Sequence, residues 1–172
     1  MELKAEIKNY TKAQKNKFII ENNHQKGFVI KYEGNSIQAW GYDDTEKFEN
    51  AKTAKLNELN TIASRYDSYK CNDMYITSSV GGYRFNADRR SQTNLRGLIS
   101  VLDDVKSVAY KDYDNVFQSL NKEQMQIIFS ECILNGQNLY KQKWDYSEKI
   151  KTCETIEELN SIEFNFTMMN FS

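Results

Sequence analysis

Apolar and polar residues alternate along the chain with two different periods, which predict strands in some segments and helices in others. Residues 28–40 and 75–86 each contain two β-prone runs, separated by the turn-forming residues 33–36 and by Gly81 and Gly82. Gly and Asn accept the positive φ of a tight two-residue turn, so this arrangement favours β-hairpins. The pattern therefore predicts two hairpins in the first half of the chain.

Apolar residues spaced by three and four positions predict an amphipathic helix after each hairpin. The first helix should begin at Asp43 or Asp44 and end near residue 67. The second should begin at Asp88 or Ser91 and carry an apolar face formed by Leu95, Leu98, Ile99, Leu102 and Val105.

The last third of the chain is predicted to be helical. Asn121 with Gln124, and Thr155 with Glu158, have the spacing of capping boxes, in which two side chains satisfy free backbone N–H groups at a helix start. A long helix should follow the first box to about Lys151, and a short helix should follow the second. The apolar tail at 164–169 is expected to dock onto the core or onto a partner.

These elements together predict an α+β fold, with two β-hairpins interleaved with amphipathic helices and a long C-terminal helix plus a short final helix. Residues 1–17 fit a strand and a helix equally well, and residues 116–120 fit a short strand, so four to six strands are expected. Residues 1–43 are predicted to be an N-terminal segment with a hairpin and residues 44–172 a helix-rich α+β domain, the two forming one compact unit.

Charge and hydropathy narrow the class of protein. The chain has 23 Lys and Arg against 24 Asp and Glu, and this balance disfavours nucleic acid as a partner. No stretch reaches the roughly 18 consecutive apolar residues of a membrane helix. The lysine-rich start is not followed by an apolar run, so we expect no secretory signal.

The residue types used in catalysis and metal binding are sparse. Cys71, Cys132 and Cys153 lie far apart without a CxxC motif, and we expect buried or half-buried thiols rather than a metal site. His24 lies in a polar stretch typical of a loop. We therefore expect no catalytic residues, no metal site and no cofactor.

Acidic pairs at 103–104 and at 112 and 114 are interpreted as helix caps and solvated loop acids, because they lack the ligand spacing of a calcium loop. The densest polar run begins with Asp88, Arg89 and Arg90. These residues are either a structural cap with one arginine paired to Asp88, or a contact for an anion at the start of a helix.

Tyr140 and Trp144 are a candidate interface, because residues four apart share one face of a helix. Two interpretations are open for Trp144. It is a core residue without outside contacts, or it anchors a subunit or partner interface, where Trp is favoured.

The run from Tyr83 to Leu95, with the helix expected to follow it to residue 109, resembles the start of a domain of unknown function found in tail-fibre-like proteins of bacteriophages and prophages. The resemblance covers about residues 45–163, with residues 38–41 similar to the entry of such domains. Its later part includes the loop at 114–115, the Leu139–Tyr140 and Lys143–Trp144 pairs, and the segment 155–159.

This resemblance implies a non-enzymatic phage or prophage structural or accessory protein of the tail or tail-fibre region. Its partners would be other virion proteins or its own copies, and it would be found in the virion or the host cytoplasm. A cyclic trimer or larger ring, joined through the long helix, would fit a tail axis. The alternative is a small phage-encoded inhibitor that binds a host defence or regulatory protein.

Overall fold

The structure is a computed structural model that describes residues 1–23, 28–41, 43–103 and 105–172. Within these ranges the chain forms five helices and seven strands, which confirms the α+β class and gives more strands than the four to six expected. The elements in chain order are β1 (Glu2–Lys8), α1 (Lys12–Glu21), β2 (Phe28–Glu33), β3 (Ser36–Gly41), α2 (Asp44–Ala63), β4 (Tyr75–Thr77), β5 (Arg84–Asn86), α3 (Arg89–Val101), β6 (Val108–Lys111), β7 (Phe117–Leu120), α4 (Lys122–Thr152) and α5 (Ile156–Asn160).

The chain divides into two compact units, Met1–Ala54 and Lys55–Ser172. The boundary between them falls inside helix α2.

The first unit contains a three-stranded antiparallel sheet with β3 in the centre. Ile37 and Ala39 of β3 are fully buried and form a small core with Phe18 of α1. The predicted β2–β3 hairpin is confirmed, with Gly34 at φ +54° in its turn. The ambiguous N-terminal segment contains both candidate elements, a strand followed by a helix that Thr11 caps.

The second unit contains two further hairpins. The predicted β4–β5 hairpin is confirmed, but its connection is the six residues 78–83 and not the two-residue turn expected at Gly81 and Gly82. The two glycines adopt φ values of +67° and +68° within this connection. A Cβ atom on Gly81 would lie 2.4 Å from the ring of Tyr83, so this position also requires glycine for space. The strands are shorter than predicted, at three residues each.

The second of these hairpins, β6–β7, corrects the helix expected to run to residue 109. Helix α3 ends at Val101, and β6 pairs antiparallel with β7 instead. Val105, expected on the buried face of the helix, is 48% exposed. Asn115, at φ +67°, lies in the connection between the strands, where Asn tolerates this conformation better than most residues.

Helix boundaries elsewhere follow local capping chemistry. Both predicted capping boxes in this unit are confirmed, at Asn121 with Gln124 and at Thr155 with Glu158. Helix α2 ends at Ala63 rather than near residue 67, because the following N–H groups of Arg65 and Tyr66 bond to carbonyls three residues back, as in a turn.

The core of the second unit lies between α3, α4 and the two hairpins. Its fully buried side chains include Phe85, Leu95 and Ile128. The C-terminal tail packs on this core through Phe166, Met168 and Phe171, which confirms that the tail docks. All three cysteines are free and buried, as predicted.

Across the part of the chain that the structure describes, no helix combines the length and the apolar character needed to span a membrane.

Candidate functional site

Asp88 lies at the start of α3 and is 4% exposed. One carboxylate oxygen accepts a hydrogen bond from the N–H of Ser91 at 2.8 Å, the geometry of a helix N-cap. The other oxygen accepts a bond from the N–H of Cys71 at 3.0 Å. The side chain therefore fastens the segment before β4 to the beginning of α3.

The arginines that follow Asp88 do not pair with it. Arg89 and Arg90 are exposed, and no ion pair involving either is found among the described residues. The expected arginine pairing of Asp88 is therefore wrong, and its two carboxylate oxygens bond to backbone N–H groups. The backbone N–H of Arg90 donates a hydrogen bond to the carbonyl of Tyr69 at 2.9 Å.

Arg90 lines a polar cleft of about 510 Å³ between the start of α3 and the end of β6, whereas Arg89 does not. Lys70 and Lys111 line the same cleft, and in the described chain neither forms an ion pair. Asparagine amides form much of the remaining wall, at positions 72, 86, 94 and 115. The surface of the cleft is therefore hydrophilic, with its cationic groups facing water.

Asp112, in the wall of the cleft, is buried and not a solvated loop acid as expected. Its oxygens accept hydrogen bonds from the N–H of Val116 at 2.9 Å and the side-chain amide of Gln118 at 2.8 Å. Burial raises the pKa of this carboxyl, but these hydrogen bonds and one from the backbone of Asp114 outweigh burial, and the pKa lies below its usual value. Asp112 therefore closes the β6–β7 turn.

The other acids of the two acidic pairs, residues 103, 104 and 114, have different surroundings from Asp112. Asp114 is exposed and forms an ion pair with Arg84, whose guanidinium lies 5.0 Å from the ring centroid of Tyr113. Asp103 pairs with Lys122 at 2.5 Å. Asp104 lies outside the described residues, as does His24.

Two groups near the cleft and the core have strongly raised pKa values. Burial raises the pKa of the Tyr110 hydroxyl, in the cleft wall, to about 12. Burial also raises the pKa of the Cys132 thiol to about 12, so this cysteine is not an activated nucleophile. Among the described residues, no three His, Cys, Asp or Glu side chains come together as metal ligands would.

Tyr140 and Trp144 lie together on α4, with ring centroids 6.5 Å apart and ring planes inclined by 64°. Tyr140 is 59% exposed and Trp144 is 51% exposed. The interpretation of Trp144 as a core residue is therefore wrong. The ammonium of Lys151, about two turns further along the helix, lies 5.7 Å from the Trp144 ring centroid.

Further large apolar residues are exposed on the same helix. Ile133 precedes Tyr140 by seven residues and is 42% exposed, so it shares the face of the aromatic pair. Leu134 and Ile127 are also exposed and lie beside this face. We call the surface formed by Ile127, Ile133, Leu134, Tyr140 and Trp144 the α4 patch.

The α4 patch borders a small pocket of about 160 Å³. Tyr140, Lys143 and Gly136 of α4 form one side of the pocket, and Phe166 of the tail contributes to the other. The pocket thus adds a concave feature next to an exposed aromatic ring.

Sequence patterns did not reveal two buried polar residues of α4. The Glu131 carboxylate accepts hydrogen bonds from the hydroxyls of Ser78 and Ser79 and from the N–H of Ser79 at 3.0 Å. The Asn135 side chain accepts a bond from the N–H of Met169 at 2.8 Å. Their partners lie 34 to 53 residues away, so no local signal marks them.

A family model described as a domain of unknown function, DUF4376, matches residues 50–164, which is about two thirds of the chain. No curated protein and no solved structure matches the chain. The matched segment contains Asp88, the polar cleft and the α4 patch. The chain therefore belongs to the DUF4376 family of domains of unknown function.

Proposed function

We propose that this protein is a non-enzymatic structural or accessory protein of the tail or tail-fibre region of a phage or prophage, and that it acts through protein–protein contacts. The observation that carries the contact function is the α4 patch, where five large apolar side chains are between 39% and 59% exposed on one helix. The placement in the tail rests on the sequence resemblance of residues 45–163.

The composition of the patch supports a protein contact. Contiguous exposed apolar surface on a folded protein is typical of interaction sites, because single exposed apolar residues are common but clusters are rare. Tyr140 and Trp144 add large, rigid contact area, and both residue types are enriched at the centres of interfaces.

The acidic and basic groups singled out in the sequence support a structural assignment. The carboxylates of Asp88 and Asp112 each accept two hydrogen bonds from their own fold. These bonds hold loops of the fold in place. This use of the most conspicuous acids favours a binding protein over a hydrolase.

The proposal is tested on particles of the phage or prophage that encodes the chain. Mass spectrometry of purified virions should detect the wild-type protein at a fixed ratio to a tail protein. The double variant Tyr140→Ala/Trp144→Ala should fold but be depleted from particles at least tenfold. Tyr69→Ala is the matched control, because Tyr69 is 61% exposed and lies outside the patch.

Absence of the wild-type protein from virions would overturn the tail assignment and favour the host-directed inhibitor. Equal incorporation of the double variant and the control would overturn the role of the α4 patch.

A further inference from the structure

The polar cleft collects positive charge that has no partner within the described part of the chain. Its three cations, Lys70, Arg90 and Lys111, form neither an ion pair nor a side-chain hydrogen bond there. They come from three separate segments, the loop before β4, the first turn of α3 and the end of β6. The backbone N–H groups of residues 90–92 already bond within the protein. The free donors of the cleft are therefore side chains and not the end of α3.

Uncharged hydrogen-bonding groups of the cleft are also without partners. The side-chain amides of Asn72, Asn86, Asn94 and Asn115 make no hydrogen bond in the described chain. Each amide offers both donors and an acceptor, which are the groups that a sugar hydroxyl needs. The hydroxyl of Tyr110, a half-buried residue, is likewise unbonded among the described residues, and its pKa of about 12 keeps it a donor at neutral pH.

One wall of the cleft is fixed by the fold itself. The carbonyl of Tyr69 accepts the N–H of Arg90 at 2.9 Å, and the N–H of Cys71 donates to Asp88 at 3.0 Å. Lys70 lies between these two bonded residues, so it is held beside the start of α3. A site whose frame is fixed before binding loses little conformational freedom when a ligand enters.

Two carboxylates in the wall limit the charge that the cleft can take up. Asp88 and Asp112 are 4% and 5% exposed, and both accept their hydrogen bonds from the fold. Three cations against two carboxylates leave an excess of one positive charge. This balance fits a ligand with one acidic group and disfavours a polyanion such as nucleic acid, which needs a larger basic surface.

We propose that the polar cleft binds an acidic sugar, a carbohydrate unit that carries one carboxylate or phosphate group. The guanidinium of Arg90 binds the acidic group together with the two lysines, because its planar N–H groups match these anions. The asparagine amides bind the hydroxyls. Arg90 and Asn94 are four residues apart on α3, so one helix face supplies both kinds of contact.

The size of the cleft agrees with such a ligand. Its volume of about 510 Å³ falls within the range of small-molecule sites. The α4 patch contributes no residue to the cleft, so the inference goes beyond the proposed function and does not depend on it.

The test is a titration of the full ¹⁵N-labelled chain, followed by NMR at constant ionic strength. The probes are glucuronate, glucose 1-phosphate, glucose and inorganic phosphate. At least one of the two acidic sugars should bind with a Kd of about 1 mM or below and shift the side-chain amide signals of the four cleft asparagines. Glucose and inorganic phosphate should bind at least tenfold more weakly than that sugar, because each lacks one of the two kinds of contact.

Variants locate the binding in the cleft. Arg90→Gln should raise the Kd of the acidic sugar at least tenfold. Arg89→Gln is the matched control, because it removes the same charge from an exposed neighbour that does not line the cleft, and it should leave the Kd unchanged. Asn94→Ala should weaken binding of the acidic sugar but not of inorganic phosphate. All three side chains are exposed, so circular dichroism should show a wild-type fold.

Four results would overturn the inference. The first is no saturable binding of either acidic sugar up to about 10 mM. The second is glucose bound as tightly as the acidic sugars, and the third is inorganic phosphate bound as tightly, which would mean an adventitious ion only. The fourth is an equal Kd for Arg90→Gln and Arg89→Gln. None of these results bears on virion incorporation through the α4 patch, so the two proposals fail separately.

Discussion

Buried carboxylates hold this protein together at points where segments distant in sequence meet. Asp88 joins the N–H of Cys71 to the start of α3, and Glu131 joins α4 to the segment at Ser78 and Ser79. Each accepts its hydrogen bonds from neutral donors. Removal of either leaves buried donors without acceptors, which is costly.

Replacement of Asp88 by Ala should therefore lower the free energy of unfolding by more than the loss of an ordinary helix cap. The variant loses the cap to Ser91 and also leaves the Cys71 N–H unpaired, so we expect a loss of about 2–3 kcal/mol in the free energy of unfolding. Asn121→Ala is the control, because Asn121 caps α4 through one exposed bond to Gln124 and should cost about 1 kcal/mol. Urea titration measures both, and equal losses would show that the Cys71 bond contributes nothing.

Asp112 makes stability depend on pH. Its pKa in the folded protein is lowered, so the ionised carboxylate stabilises the fold above its ordinary pKa of about 3.9. That contribution is lost as the pH falls through the lower folded value. Asp112→Asn should destabilise the protein at pH 7, because an amide cannot accept from both Val116 and Gln118 in the same way.

The difference between wild type and Asp112→Asn should shrink as the pH falls below about 4, measured by urea titration at several pH values. Asp103→Asn, which alters an exposed carboxylate paired to one lysine, should change the free energy of unfolding at pH 7 by only about 0–1 kcal/mol. A difference for Asp112→Asn that stays constant down to pH 3 would contradict this account.

At the scale of elements, α4 has two different faces. Its buried face combines apolar residues such as Ile128 and Leu139 with Glu131 and Asn135. Its exposed face carries the α4 patch. The helix thus organises the core of the second unit and presents the contact surface at the same time.

Trp144→Ala should leave the fold of the monomer nearly intact. The side chain is half exposed, and its packing partner Tyr140 is also exposed, so we expect a loss of less than about 1 kcal/mol. Leu139→Ala, on the buried face of the same helix, should cost about 2–5 kcal/mol. Thermal unfolding at low micromolar concentration compares the two, and a loss for Trp144→Ala near that of Leu139→Ala would restore the core interpretation.

The elements that sequence patterns predicted well are those with local signals. Gly81 and Gly82 mark the hairpin connection, and the boxes at Asn121 and Thr155 mark helix starts within four residues of sequence. Strand β6 was missed because four residues next to an apolar helix face extend the helical pattern equally well. Glu131, Asn135 and the exposure of Trp144 depend on segments far away in sequence, so no local pattern predicts them.

At the scale of the whole molecule, the C-terminal tail completes the core of the second unit. Thr167 and the side-chain amide of Gln142 exchange two hydrogen bonds, at 2.8 and 2.9 Å. The N–H of Phe171 donates to the carbonyl of Thr77 at 2.8 Å, which adds the tail to the edge of β4. The Phe166 ring lies 5.3 Å from Tyr66 and 5.6 Å from Tyr146.

Phe166→Ala should weaken the packing of the C-terminal tail on the core of the second unit. Loss of a partly buried aromatic ring with two ring neighbours should cost about 2 kcal/mol in the free energy of unfolding, less than a fully buried phenylalanine. Phe117→Ala is the control, since Phe117 is 67% exposed and should cost less than about 0.5 kcal/mol. The Phe171 amide should also exchange its hydrogen faster in Phe166→Ala but not in Phe117→Ala. Equal exchange in the two variants would mean that the Phe166 ring does not hold the tail on the core.

The docked tail has a practical consequence for producing the domain in isolation. A fragment cut at the family limits would begin at Asn50, inside a helix, and would stop at Phe164. It would lack Phe166, Met168 and Phe171, and it would open the apolar core they cover to water and to other copies. Expression plans that follow the family limits are therefore expected to give inclusion bodies, whereas fragments that extend to Ser172 should stay in the supernatant.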